Sequence, residues 1–282
     1  MTSAGHGLNA SDVPLLTVII PVYNEASTIG ELLRRVVAAP YARQVIIVDD
    51  GSTDGTASVL DSWRSQPGVR IHTHTINRGK GRAIRTGIAH ATGLFTIIQD
   101  ADLEYDPQDY AKLIEPLRTG QAQVIYGSRY LGQPIGRRGG FVFRLGVAVL
   151  NAAVRLLYGA RLTDEATCYK AMPTALLRLM DLRCEGFEFC PEVTAKACRM
   201  GLSIREVPIS YNARSHGAGK KIRWRDGAAA LRTLWRWRRW TCAAGETAVR
   251  AALAGTTQEA LMAAGEGASV APEMDPAPIA VV

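Results

Sequence analysis

The sequence predicts an α/β fold: a mostly parallel sheet with helices on both faces and an amphipathic helical part toward the C-terminus. Three observations lead there. Short β-branched runs alternate with helix-period segments four to five times before residue 130. The apolar runs end in polar, mostly acidic clusters, so groups scattered in sequence converge on one rim of the sheet. The composition is globular, with 47% hydrophobic and 21% charged residues in a chain of 282, enough for a sizeable core.

The elements follow in order. Residues 1–14 read as a flexible lead. Leu16–Ile20 is the first strand and turns at Pro21-Val-Tyr-Asn-Glu25. Thr28 and Glu31 form a capping-box pattern, and Ile29, Leu32, Leu33, Val36 and Val37 recur as on a one-sided helix. Gln44–Val48 is the next strand and ends in Asp49-Asp50-Gly51-Ser52; a helix then starts near Thr53 or Asp54. A strand near 69–75 leads into Asn77-Arg-Gly-Lys-Gly81, followed by a helix over 82–92. Leu94–Ile98 runs into Asp100-Ala-Asp102, and Pro107 suits the first turn of the helix after it. Gln123–Tyr126 is a further strand.

Beyond 130 the pattern changes. Gly132–Gly140 is a Gly/Arg loop, and 142–158 form an apolar helix interrupted by Arg144, Asn151 and Arg155. Those three lie within about 40° of one another around the axis, giving a narrow polar stripe. It reads as a groove or membrane contact, or else as the wet side of a surface helix. A mixed region over 162–211 ends in a strand near Ser203–Tyr211. The expected organisation is a lead (1–14), a main α/β domain (15–221), a basic Trp-rich segment (222–240) and a disordered tail (241–282).

The net charge of +7 averages unlike parts. Residues 241–282 carry one Arg and five acids, whereas 203–240 hold ten Lys/Arg against two acids. Such a basic stretch points to an anionic partner: phosphate, nucleic acid or a membrane surface. Four of the five tryptophans fall in 222–240, interleaved with six arginines. That is the chemistry of a helix on an anionic lipid interface; stacking on nucleic acid or packing on the catalytic domain are the other uses of the same residues. Five cysteines without a CxxC pair, and no signal-peptide core in the first fourteen residues, point to a reducing cytosol without a disulfide scaffold or zinc site. No run of about 18 uninterrupted apolar residues predicts a spanning helix.

The rim defines the chemistry. The first strand-to-helix turn lacks the GxGxxG of a dinucleotide fold, which argues against a dehydrogenase. It is acidic instead, with Glu25, Asp49, Asp50, Asp100, Asp102 and Glu104. Ionised carboxylates accept hydrogen bonds from ribose hydroxyls and base N–H groups but repel a diphosphate unless a cation intervenes. Asp100-Ala-Asp102 supplies the hard oxygens that Mg²⁺ or Mn²⁺ prefers, although Asp102 would also serve as a helix cap.

Together, Pro21-Val-Tyr-Asn-Glu25, Val48-Asp-Asp-Gly-Ser-Thr-Asp-Gly55, Gly79-Lys-Gly81 and Asp100-Ala-Asp-Leu103 resemble the family-two inverting glycosyltransferases of GT-A fold. The likeness covers about residues 16–240 and is closest to dolichyl-phosphate mannose synthase and the bacterial polyprenyl-phosphate sugar synthases. Gly127-Ser-Arg129-Tyr and Glu206-Val-Pro-Ile-Ser-Tyr211, followed by Arg214 and Lys220, support that branch. The resemblance implies that Pro21, Tyr23 and Glu25 line the base and ribose, with Val48 and Asp50 on the other side. It implies that Asp100 and Asp102 place Mg²⁺ or Mn²⁺ on the diphosphate, with Ala101 beneath. Glu104 becomes a third ligand or a sugar contact. Lys80 belongs to the donor site, Arg129 reaches the donor or the acceptor phosphate, and Arg214 and Lys220 clamp the diphosphate from a loop with glycine hinges.

The implied reaction moves a hexose from GDP-mannose or UDP-glucose to polyprenyl or dolichyl phosphate, by an enzyme peripheral on the cytosolic membrane face. A lipid phosphate needs orientation more than a base; a hydroxyl acceptor needs a carboxylate base, for which Asp164 is best placed unless it merely caps the next segment. A same-fold transferase with a soluble acceptor is the nearest rival. A basic nucleic-acid-binding module is the rival from another class, with no nucleic acid expected on the main reading.

Overall fold

The structure, a computed structural model, describes residues 14–131, 141–213 and 224–263. Strands β1 (Leu16–Val22), β2 (Ala42–Asp49), β3 (Val69–Thr73), β4 (Phe95–Ile98), β5 (Val124–Ser128), β6 (Lys170–Pro173) and β7 (Ile204–Pro208) form one sheet. Their order is β3-β2-β1-β4-β6-β5-β7. Neighbours run parallel, except that β6 is antiparallel to both β4 and β5. All seven residues of β1 are buried, the mark of a parallel strand covered on both faces rather than on one.

Helices α1 (Ile29–Ala38) and α2 (Thr56–Asp61) connect β1 to β2 and β2 to β3, stepping toward one edge. Helix α3 (Lys80–His90) returns the chain across β2 and β1 to β4. Right-handed crossovers that step in opposite directions put their helices on opposite faces. The reversal lies between β1 and β4. Their carboxyl ends therefore diverge and leave a crevice, the usual ligand position in such a sheet. The crevice is flanked by Pro21–Glu25 on one side and Asp100–Asp102 on the other.

After β4, Asp106 accepts from Gln108 N at 3.0 Å and caps a 3-10 turn over Pro107–Asp109, which leads into α4 (Tyr110–Arg118). Beneath the crevice, Gln99 Oε1 accepts from the buried hydroxyls of Tyr110 at 2.8 Å and Tyr169 at 2.5 Å. Helices α5 (Phe141–Tyr158), α6 (Thr174–Leu179) and α7 (Phe189–Arg199) complete the body, and α8 (Trp224–Trp237) packs against α5 and α7.

Three local expectations change. The Thr28 hydroxyl does not close a capping box; it donates to Glu25 Oε2 at 2.7 Å, while Glu31 pairs with Arg34 and Arg35. Residues 245–263, expected to be disordered, form helix α9 (Gly245–Ala263), which packs on α4 and α6 and buries Val249, Thr256 and Ala260. Its alanine content favours helix, but its apolar residues are spread around the axis, so no periodicity announced it. The tryptophans of 222–240 divide. Trp237 and Trp240 lie 4.0 and 5.1 Å from the fully buried Lys196 ammonium, which also pairs with Glu192 at 2.7 Å and donates to Asp181 O at 2.8 Å. These two rings are packing residues that shield a buried charge, whereas Trp235 remains 56% exposed.

Candidate active site at the sheet edge

The crevice begins where β1 and β2 end. Tyr23 and Asn24 are half-buried, and Asn24 adopts the left-handed conformation at φ 53°, which asparagine tolerates better than most residues. Glu25 is 8% exposed and its backbone N–H donates to Thr56 Oγ1 at 2.9 Å, tying the β1 turn to the start of α2. Pro21 is buried, and Val48 is sealed in the core.

Asp50 is 2% exposed and acts as a hub. Its carboxylate lies 2.6 Å from His74 Nδ1 and accepts from Arg78 N at 3.0 Å and Gly79 N at 2.7 Å. Those bonds draw the 74–79 loop against the end of β2 and place Lys80 at the first turn of α3. Gly79 sits at φ 93°, and a Cβ there would come within 2.2 Å of Glu185 O. Only glycine permits both the backbone conformation and the approach.

The Lys80 ammonium pairs with Asp100 and also donates to Cys168 Sγ at 3.0 Å. Burial alone would lower the Lys80 pKa, but the facing Asp100 carboxylate outweighs it and holds the ammonium well above its ordinary value. Burial likewise opposes ionisation of Asp100, and Lys80 overcomes this to hold that carboxyl below the usual range. The pair is an internal ion pair at the point where β4 opens onto the crevice.

Asp102 Oδ1 accepts from Glu104 N at 3.1 Å, a tight turn around Leu103, whose φ is 62°. Ala101, between the two aspartates, is 5% exposed. Glu104 turns toward the Tyr211 hydroxyl, which donates to its Oε2 at 3.1 Å. Among the described residues no three His, Cys, Asp or Glu side chains converge as a metal cluster. A Mg²⁺ site built from one or two carboxylates plus substrate phosphates needs no such cluster. Asp100 and Asp102 fit that simpler site, and Asp100 already carries a cation in Lys80.

The second half of the site forms at the end of β5. Asp164, fully buried, grips Arg129 on three atoms. Its Oδ2 accepts from Arg129 N at 3.0 Å and Nε at 2.7 Å, and its Oδ1 accepts from an Nη at 2.7 Å. Glu206, on β7, accepts from the backbone N–H of Thr163 at 2.7 Å and of Asp164 at 2.9 Å. The Arg129 guanidinium lies 5.4 Å from the Tyr211 ring, so Tyr211 bridges Glu104 on one side of the crevice and Arg129 on the other. Spacing signalled Glu206 and Tyr211 only as parts of a run; no periodicity marks His74, Tyr211 or Cys168 as neighbours of the site. The expected diphosphate clamp of Arg214 and Lys220, and the Gly132–Gly140 loop, fall outside the described residues.

The polar stripe on α5 also divides. Asn151 hydrogen-bonds the chain around Asp164, Arg155 is exposed, and Arg144 is half-buried. Arg144, Leu145, Ala148 and Asn151 join Tyr130 and Thr163 around an open cleft of about 360 Å³ beside the Asp164 loop. A third of a turn from the stripe, Leu145, Val149 and Leu156 stand exposed, Leu156 at 86%. Helix α8, joined to α5 through the Tyr158 hydroxyl and Leu234 O at 2.5 Å, adds exposed Leu231, Arg232, Trp235 and Arg236. No helix among the described residues is long and apolar enough to cross a membrane.

Known proteins resemble this arrangement. The chain is 29% identical over 215 residues to the undecaprenyl-phosphate 4-deoxy-4-formamido-L-arabinose transferase of Edwardsiella ictaluri, covering 74% of this chain and 63% of that protein. It is 30% identical over 213 residues to the polyprenol monophosphomannose synthase of Mycolicibacterium smegmatis, covering 72% and 79%. It thus spans less than two thirds of the first relative's length. Glucosyl-3-phosphoglycerate synthase of Mycobacterium tuberculosis, solved with Mn²⁺, UDP-glucose and phosphoglyceric acid, superposes with a TM-score of 0.62 at 20% identity, covering 81% of this chain and 79% of that one. That likeness establishes the GT-A fold. Residues 17–173, more than half of the chain and including every strand end of the crevice up to β6, match the family described as glycosyl transferase family 2, and the chain belongs to that family.

Proposed function

We propose that the protein is an inverting hexosyltransferase that moves mannose or glucose from a GDP- or UDP-linked donor to a polyprenyl phosphate at the cytosolic face of a membrane. One observation carries the choice of acceptor. Both oxygens of Asp164 already accept from Arg129, so the carboxylate best placed to serve as a base is committed. A hydroxyl acceptor must lose a proton to a base, whereas a phosphate arrives ionised and needs a cation to orient it. Arg129, held rigidly by Asp164, is that cation. The names of the relatives agree, since they act on undecaprenyl phosphate and polyprenol.

On the donor side, Tyr23, Glu25 and Asp50 flank the crevice for the nucleoside, and Lys80 stands where the diphosphate would lie. The acceptor oxygen bonds to the anomeric carbon from the face opposite the leaving group, the bond to the nucleoside diphosphate breaks, and the configuration inverts. Mg²⁺ or Mn²⁺ bound at Asp100 and Asp102 would offset the charge that develops on the leaving diphosphate. Lys80 adds positive charge at the same place when it turns from Asp100, and Arg214 and Lys220 are assigned the same task by the family resemblance.

The cleft beside α5 suits the acceptor. Arg144 supplies charge, and Leu145 and Ala148 supply apolar wall. Its outer lip continues into the exposed Leu145, Val149 and Leu156 of α5 and the Leu231 and Trp235 of α8, flanked by Arg155, Arg232 and Arg236. Apolar residues ringed by arginines match an anionic lipid surface. Replacing Leu156 by Glu removes about 2 kcal/mol of apolar burial on docking, so partition onto anionic vesicles should fall at least ten-fold. Co-sedimentation checks this; unchanged binding of Leu156→Glu and Trp235→Ala would remove the docking face.

The reaction itself is tested with radiolabelled GDP-mannose and UDP-glucose, polyprenyl phosphate and Mn²⁺. Label should enter an organic-extractable product from one of the two donors. Label confined to the aqueous phase would overturn the lipid acceptor.

A further inference from the structure

We infer that Asn151 is a positioning residue that ties helix α5 to the Asp164–Arg129 pair, and through it makes the acceptor half of the site responsive to what occupies the α5 cleft. The inference rests on the reading of that cleft as the acceptor site.

One side chain brackets Asp164 from both sides. Asn151 Nδ2 donates to Thr163 O at 2.8 Å, and Asn151 Oδ1 accepts from Glu165 N at 2.9 Å. The amide can satisfy both partners in one orientation alone, because its nitrogen only donates and its oxygen only accepts. Glu206 holds the same stretch from β7, accepting from Thr163 N and Asp164 N. The Thr163 hydroxyl reaches Ser128 Oγ at 2.7 Å, next to Arg129. The main chain of 163–165 is therefore clamped between α5 and β7, and the Asp164 carboxylate converts that clamp into a fixed Arg129 guanidinium.

Helix α5 also has apolar seating contacts of its own through the buried Val147, Leu150 and Val154, of which Val147 and Val154 stand one turn to either side of Asn151, itself only half-buried. Thr163 is exposed and lines the cleft together with Asn151, so water could serve its carbonyl at little cost. What the amide adds is geometry. A ligand entering the cleft meets Arg144 and Asn151 on one helix face, and any shift of that face is passed to residues 163–165 and then to Arg129. Misplacement of an orienting group by about 1 Å can cost roughly 100-fold in rate.

Asn151→Ala and Asn151→Asp test this. Asp has the same size and still accepts from Glu165 N, but it cannot donate to Thr163 O. Both variants should lose roughly 10–100-fold in kcat/KM for the acceptor. Affinity for the nucleoside diphosphate with Mn²⁺, measured by calorimetry, should stay within two-fold, because the donor half is untouched. A purely structural role would lower Tm and weaken donor and acceptor alike, and the isosteric Asp variant guards against simple misfolding of the Ala variant. Unchanged acceptor kinetics in both variants, or equal loss on the donor side, overturns the inference. Failure of the cleft reading is separate: wild-type protein would then put no label into lipid at all.

Discussion

Asp102→Asn is expected to lower turnover by roughly 10²–10³-fold while leaving the fold intact, the usual loss when one preorganised electrostatic contact to a developing charge is removed. The substitution is clean for a structural reason. Asp102 Oδ1 accepts from Glu104 N at 3.1 Å, and an asparagine keeps an oxygen in that place, so the turn around Leu103 survives. What disappears is the negative charge, and with it one of the two carboxylates that fit a divalent cation. Two measurements read the result. Tm of the variant alone should match wild type, whereas the thermal stabilisation given by Mn²⁺ with nucleoside diphosphate should shrink. Full activity in Asp102→Asn would remove the metal assignment. The same change at Asp100 would be harder to interpret, because it strips the half-buried Lys80 ammonium of its carboxylate partner.

Arg129 carries the other large effect, and here stability and activity separate. Arg129→Met leaves the Asp164 carboxylate at zero exposure without its cation, which should cost about 3–5 kcal/mol of stability. Removing both charges, with Arg129→Met and Asp164→Leu, should return most of that loss, because an apolar pair of similar volume often replaces a buried ion pair without penalty. Catalysis should not return. On the proposed function the double variant lacks the cation assigned to orient the acceptor, so its kcat/KM is expected to stay down while its urea midpoint recovers. Activity in a stable double variant would show that Arg129 serves the fold alone. Wild-type stability in Arg129→Met would show that the pair contributes little to folding.

Much of this architecture is legible in the amino-acid sequence. The inner strands β1, β2 and β4 carry largely apolar runs, as strands covered on both faces do, whereas the edge strand β3 alternates polar and apolar residues; each of the four is legible to within a few positions. The acidic strand ends could be placed on one rim from topology alone. Less legible was anything that depends on which side chain faces which. The Lys80–Asp100 pair joins residues from different turns, and the Tyr211–Glu104 contact spans more than a hundred positions. Glu104 illustrates the limit. The family resemblance leaves it a third metal ligand or a sugar contact, and only the folded chain shows that the phenol of Tyr211 reaches its carboxylate. Helix α9 escaped notice for a different reason: its contacts with α4 and α6 select scattered small residues, which leave no stripe in the sequence.

The sequence by itself therefore determined the fold class, the family, the acidic rim and the excess of positive charge. These follow from local runs and fixed spacings, which the chain carries wherever it goes. Tertiary structure decided how the charge and the carboxylates are used. Trp237 and Trp240 shield a buried lysine while Trp235 faces out, because a helix turns its residues toward different surroundings every 100°. Asp164, which sequence leaves open as a base or a cap, becomes the grip on Arg129, because β5 and the 163–165 segment meet only in the folded chain. Partner choice for a carboxylate is a matter of ångströms across the fold, and no pattern along the chain encodes it.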